Sequence, residues 1–178
     1  RQFNGDLSGA LLDLHKAQVL YDHARDKVGL ATVYNALGAI HYYDGDLQRA
    51  REYYMRSLEF RKRHGVPTDL AIVYGNLGSV HEELGAYDSA LHYHRRNLAI
   101  RKQGGDPSWL AVCHGNLGEC FDKAGRMDSA RHYLVSALGL LNGPDDTYRR
   151  GHTLGVLGRA YLHHGDHRQA NTYCQEAL

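Results

Sequence analysis

The chain has 178 residues, enough for one compact domain or one short repeat array. Lys and Arg number 21 against 20 Asp and Glu, and no basic run exceeds two or three residues, which argues against nucleic acid as a direct ligand. No apolar stretch approaches the ~20 residues a bilayer needs, so neither a membrane partner nor a signal peptide is expected.

Taken in order, the chain repeats itself at an offset of forty residues. Residues 1–28 read as a partial repeat, in which Arg1–Phe3 would end a first helix and Gly5 and Ala10 mark the turn and second helix. Repeats follow at 29–68, 69–108 and 109–148, with a near-complete one at 149–178 that stops inside a second helix at Leu178. The expectation is a single array, 1–178, cut from a larger protein, with its end faces uncovered. "GNLG" stands at Gly75–Gly78 and again at Gly115–Gly118. Leu37, Leu77, Leu117 and Leu157 align. So do Gly38, Gly78, Gly118 and Gly158; then His41, His81, Phe121 and Tyr161; then Gly45, Gly85, Gly125 and Gly165; then Ala50, Ala90, Ala130 and Ala170.

Each period predicts two helices. In the copy at 69–108 the first runs from about Leu70 to Glu83, with Tyr74, Leu77, Gly78 and His81 at i, i+3, i+4, i+7. Gly85 breaks it, as glycine past a helix end does. The second runs from about Tyr87 to Lys102 and turns Ala90, Tyr93, His94, Asn97 and Leu98 inward. Gly78 and Ala90 lack bulk and allow close approach of the pair. "GVPTD", "GGDPSW" and "NGPDDT" separate the pairs, with Pro at or just before a first helical turn. Asp6, Asp46 and Asp166 read as N-caps. Cys113 and Cys120 lie about 10 Å apart along one helix, too far for a disulfide, and all three thiols read as reduced, mostly buried groups of a cytoplasmic protein.

Leu77, Gly78, His81, Gly85 and Ala90 resemble the signature of the tetratricopeptide repeat (TPR), at a period longer than the usual ~34 residues. The resemblance implies an all-α fold, a right-handed superhelix of antiparallel helix pairs whose first helices line a concave groove. "GDPSWLAVCHGNLGE" and "GRAYLHHGDHRQANTYCQEAL" are most similar to the TPR tails of actinobacterial transcription activators of the Streptomyces antibiotic regulatory type. That implies a regulatory module binding a protein or peptide, or other domains of its own polypeptide. The alternative is a free-standing scaffold for linear peptides.

Opposite the packing positions, four stripes would form the groove floor. They are Gly29, Thr32, Ala36, Ala39, Tyr43; Asp69, Ile72, Asn76, Ser79, Glu83; Trp109, Val112, Asn116, Glu119, Lys123; and Arg149, His152, Val156, Arg159, His163. The floor changes from small and aromatic, through acidic with two amides, to basic. In related TPR proteins an Asn at the place of Asn76 and Asn116 grips an extended peptide; the other reading is a bond to a neighbouring helix. Arg149 and Arg159 suit a carboxylate or phosphate, or a solvated face. Trp109 either anchors a ligand or staples a loop. The Arg that spindle-orientation scaffolds carry at the second stripe position is replaced by Thr32, Ile72, Val112 and His152, and the Lys/Asn carboxylate clamp of chaperone-binding TPRs is absent as a set.

Thirteen histidines raise a metal or enzymatic alternative, densest at "HHGDH", residues 163–167. That run straddles a turn rather than one helix face, which disfavours a zinc site. His41 and His81 fill an aromatic core slot and His94 a core position. No nucleophile motif, phosphate loop or paired carboxylate set is present, so no cofactor, metal or enzymatic activity is expected.

Overall fold

The computed structural model describes residues 4–64, 67–143 and 146–177. Its helices, among these residues, are α1 (Asn4–His23), α2 (Lys27–Tyr43), α3 (Leu47–His64), α4 (Pro67–Glu83), α5 (Tyr87–Gly104), α6 (Pro107–Lys123), α7 (Met127–Leu140), α8 (Thr147–His163) and α9 (His167–Glu176). They fall into two compact units, one ending at Ala86 and the other starting at Tyr87. Within each unit, every helix packs on the next, and adjacent helices run antiparallel. First helices also touch one another, α2 with α4 and α6 with α8.

The turn between the helices of a pair is the same each time. Gly45, Gly85, Gly125 and Gly165 have φ of 84°, 73°, 71° and 80°, a left-handed conformation that a Cβ disfavours. After Gly85, Gly125 and Gly165 the next residue donates back across the turn: Ala86 N–H to His81 O at 2.8 Å, Arg126 N–H to Phe121 O at 2.8 Å and Asp166 N–H to Tyr161 O at 3.0 Å. Asp46 and Asp166 cap the following helix by accepting from Arg49 N–H (3.1 Å) and Gln169 N–H (3.0 Å). Pro67 and Pro107 open α4 and α6. At the N-terminus the outcome differs. Gly5 and Asp6 lie inside α1, which starts at Asn4, and the α1–α2 turn uses Arg25, with φ 56°, and the cap Asp26. Arg1–Phe3, the Asp6 side chain and Leu178 lie outside the described residues.

The glycines of the first helices sit against the partner helix. A Cβ on Gly38 would stand 2.7 Å from the Tyr54 ring; on Gly118, 2.5 Å from Leu134 Cγ; on Gly158, 2.6 Å from Cys174 Sγ. The aromatic slot recurs as stacked pairs: His41 on Tyr53 (5.3 Å between centroids), Phe121 on Tyr133 (5.4 Å) and Tyr161 on Tyr173 (5.4 Å). The first helices are buried more widely than one apolar stripe predicts. Ala71, Val73 and Val80 of α4 and Ala111, Cys113 and Cys120 of α6 are fully or almost fully buried as well. Helices α6 and α8 each pack on their own partner and on the second helix before them, and α4 packs on α3 and touches α2.

Cys113 and Cys120 are buried, and burial pushes the Cys113 thiol up to about 11 against the opposing pull of the Arg101 guanidinium. Both are packing groups at neutral pH. Cys174 is exposed, contrary to the sequence expectation for most thiols: its Sγ faces Gly158 of α8, but among the described residues no helix other than α8 covers α9.

Candidate functional site: two recesses on the first-helix faces

The stripe residues gather into two recesses, one in each unit. In the first unit Tyr43, Asn76 and Ser79 border a hollow of about 180 Å³ with Ala39, Tyr42 and Tyr54. Tyr43 is 85% exposed. Asn76 Nδ2 donates to Asn35 Oδ1 on α2 at 3.0 Å, so the neighbouring-helix reading describes this amide. Ser79 Oγ donates to Gly75 O of its own helix at 3.3 Å. Glu83 is exposed at the end of α4. Asn35 is a site residue the stripe missed, because it lies one position off. Its signal was available, since Gly75, Gly115 and Gly155 hold that place in the other repeats.

In the second unit a cleft of about 240 Å³ lies between α6 and α8, over α7. It brings together four of the expected residues, Asn116, Glu119, Arg149 and His152. Its apolar lining comes from Ala111, Val112, Leu134, Leu141, Tyr148 and Val156. Val156 is a correction: expected on an open stripe, it is 3% exposed and packs with Leu134 and Leu157. Asn116 is half-buried and reaches the cleft. Gly115 differs from Gly118, the other glycine of its run. It serves no helix packing, for a Cβ there meets nothing within 4 Å, and it lines the cleft instead.

The charged residues sort themselves by partner. Arg159 Nη2 donates to Glu119 Oε1 at 3.0 Å, one repeat away, so the acid beside this arginine belongs to the chain itself. Arg149 is about half exposed and lies 3.7 Å from Asp146, whose carboxylate also accepts from Gly143 N–H at 2.9 Å. His152 is exposed. Lys123 is exposed at the end of α6. Trp109 is clamped: the Arg101 guanidinium of α5 lies 4.1 Å over its ring, which leaves it 47% exposed. His163 Nδ1 stands 3.4 Å from Oδ1 of Asp122, a buried carboxylate of α6. "HHGDH" is thereby dispersed, with His163 turned to α6 and Asp166 spent as a cap. Among the described residues no group of three or more His, Cys, Asp or Glu is placed to hold a metal ion.

Repeat alignment explains why the cleft exists. Arg61 of α3 is 7% exposed and pairs with Asp69 of α4, while it also bonds Ser57 Oγ (3.3 Å) and Thr32 Oγ1 (3.4 Å). Forty residues on, Arg101 covers Trp109. Both arginines tie a second helix to the next first helix. At the third junction the positions read Leu141 and Arg149. The long side chain is gone from the second helix, and a positive charge stands on the first. Helix α7 also stops at 14 residues where α3 and α5 have 18, with Asn142 Nδ2 capping Gly139 O at 2.7 Å. The space the missing side chain would fill remains open.

Two tetratricopeptide-repeat family models match the chain, over residues 30–64 and 69–143. Together they take in more than half of it, and the chain belongs to that family. Its all-α repeat of adjacent antiparallel helix pairs is the organisation of a TPR solenoid. Among solved structures it is similar to BtubC (BKLC) from P. vanneervenii, at 21% identity and TM-score 0.77, covering 99% of this chain and 72% of that one. It is similar to the apo form of RapI at 18% identity and TM-score 0.86, covering 96% and 62%. A putative kinesin light chain with nearly identical TPR-like repeats from Podosopora anserina follows at 15% and 0.80, covering 98% and 86%. At these identities the likeness is one of fold. No curated protein sequence matches the chain. No helix of the described residues is long and apolar enough to cross a membrane.

Proposed function

We propose that this chain is a peptide-binding interaction module that holds an extended segment of a partner protein along its first-helix face. The observation that carries the reading is the cleft of the second unit. There Asn116, Glu119, Arg149 and His152, taken from two successive repeats, converge over an apolar floor. A carboxamide both donates and accepts, so Asn116 suits a peptide N–H and C=O together. Membership in the TPR family supports a binding role.

The narrower reading, the regulatory TPR region of a cytoplasmic bacterial transcription regulator, is carried by the resemblance of two sequence stretches. Neither the family models nor the similar structures add to it, and the free-standing peptide scaffold is the better supported of the two. A peptide array probed with wild type and with Asn116→Ala tests the function. Captured peptides should lose affinity on the order of tenfold in the variant, since one or two hydrogen bonds are lost at ~0.5–1.5 kcal/mol each. Equal capture by both proteins would move the site off this face.

A further inference from the structure

The second-unit cleft also specifies what its occupant looks like, an inference that rests on the peptide-binding reading. Its volume, about 240 Å³, falls below the roughly 300–1,000 Å³ typical of cofactor and metabolite pockets. It matches a single bulky side chain. The floor is apolar, from Val112, Leu134 and Val156, and Gly115 adds no side chain to obstruct it. Among the described residues, Arg149 and Glu119 line the rim, with Asp146 and Arg159 as their ion-pair partners and Arg150 next along α8. Glu119 is held by Arg159 and Asp146 is shared with Gly143 N–H, while Arg150 donates to Leu138 O at 3.4 Å. Arg149 is thus the rim cation with the weakest internal partner, about half exposed and 3.7 Å from its acid. At the two preceding junctions an arginine of the second helix meets an acid or an aromatic ring supplied by the chain, Asp69 or Trp109. Here the second-helix position is Leu141, and among the described residues the cation, Arg149 on the first helix, has only the looser pairing with Asp146.

We propose that the cleft seats a Phe- or Leu-sized side chain of an acidic partner peptide, with a neighbouring Asp or Glu of that peptide on Arg149. The ligand then provides, in trans, the bulk that a second-helix arginine supplies at the first two junctions and the negative charge that Asp69 supplies at the first. An exposed arginine and a desolvated apolar anchor are the pairing in which a charge-assisted hydrogen bond gains most from its surroundings.

The test is a fluorescence-polarisation titration with labelled decapeptides. Each holds a central Phe with Glu, Gln or Lys one to three residues away, and matched peptides carry Ala in place of Phe. Wild type should bind a Phe/Glu peptide at least about tenfold tighter than its Ala or Lys counterpart. Arg149→Gln should erase the preference for Glu over Gln. Gly115→Leu should abolish binding by filling the cleft, with circular dichroism and melting unchanged, because its Cβ meets open space. Leu141→Arg, which restores the residue of Arg61 and Arg101, should act in the same direction. Equal affinity for Glu and Lys peptides, or undiminished binding by Gly115→Leu, overturns the proposal. Array peptides captured alike by wild type and Gly115→Leu would leave peptide binding standing and remove the cleft as its anchor. An array that captures nothing removes both.

Discussion

Gly115 and Gly118 stand three residues apart on α6 and answer to opposite constraints. Gly118 is buried against Leu134, and a Cβ there would lie 2.5 Å from Leu134 Cγ and 3.2 Å from Leu134 N. Gly115 faces the cleft and meets nothing. Gly118→Ala should therefore lower stability by about 1–3 kcal/mol through overpacking. Gly115→Ala should raise it by about 0.5–1 kcal/mol, because glycine is the poorer helix residue. Paired thermal melts read the difference directly, and a common sign for the two changes would contradict the face assignment. The repeat shows that both are glycine, yet only the neighbours decide which is packed. Asn76 teaches the same lesson. Its stripe position is legible, but its bond to Asn35 depends on a residue that no other repeat shares. Asn76→Ala should cost on the order of 1 kcal/mol of stability by leaving the half-buried Asn35 oxygen unmet. Asn116→Ala, at the equivalent place, should cost less in a chemical-denaturation comparison, because in the repeat register Gly75, with no side chain, holds the position from which Asn35 serves Asn76.

At the level of the helix, the positions of α4 to α9 were legible to within a few residues, because glycine turns and aspartate caps recur at fixed places. The extent of burial was not. A single i, i+3, i+4, i+7 stripe describes one contact, whereas α6 packs on both α5 and α7 and α4 meets both α3 and α2, and Val73, Val80, Cys113 and Cys120 are buried outside that stripe. His81 and His114 lie on these covered helices. Burial, with the Arg51 guanidinium second, holds His81 below its ordinary value; burial, then Lys102 and His132, does the same to His114. Well above pH 6.5 such a histidine is neutral whether folded or unfolded and contributes no pH dependence. As pH falls through that value the unfolded chain takes up the proton first, so stability declines with acidification until the folded group titrates too. The urea midpoint should thus drop between pH 7.5 and pH 5.5. His81→Phe, which installs the residue type found at Phe121, should reduce the drop. An unchanged pH slope in that variant would assign the acid sensitivity to other groups.

Across the chain, the forty-residue period made the fold class plain, because four copies of one helix pair cannot all be coincidence. The site was only half visible, since a cleft arises where copies differ, and that difference, Leu141 for arginine and a shortened α7, reads as noise until the side chains are placed. The same near-neighbour logic governs how the molecule should come apart. In each unit a helix buries its apolar face against adjacent helices and little else, so stability is a sum of local interfaces rather than the property of one core. Deleting residues 144–178 removes α8 and α9 and uncovers Leu134, whose cluster partners Val156 and Leu157 leave with them. The cluster built on Ala90, Leu98, Leu117 and Phe121 keeps all its members. The truncated protein should stay helical, with circular dichroism reduced in proportion to the residues lost, and should melt at a lower temperature. It should also lose affinity for any peptide that wild type seats between α6 and α8, since Arg149 and His152 are gone. Collapse of the helical signal even at low temperature would mean that the repeats stand or fall as one cooperative body.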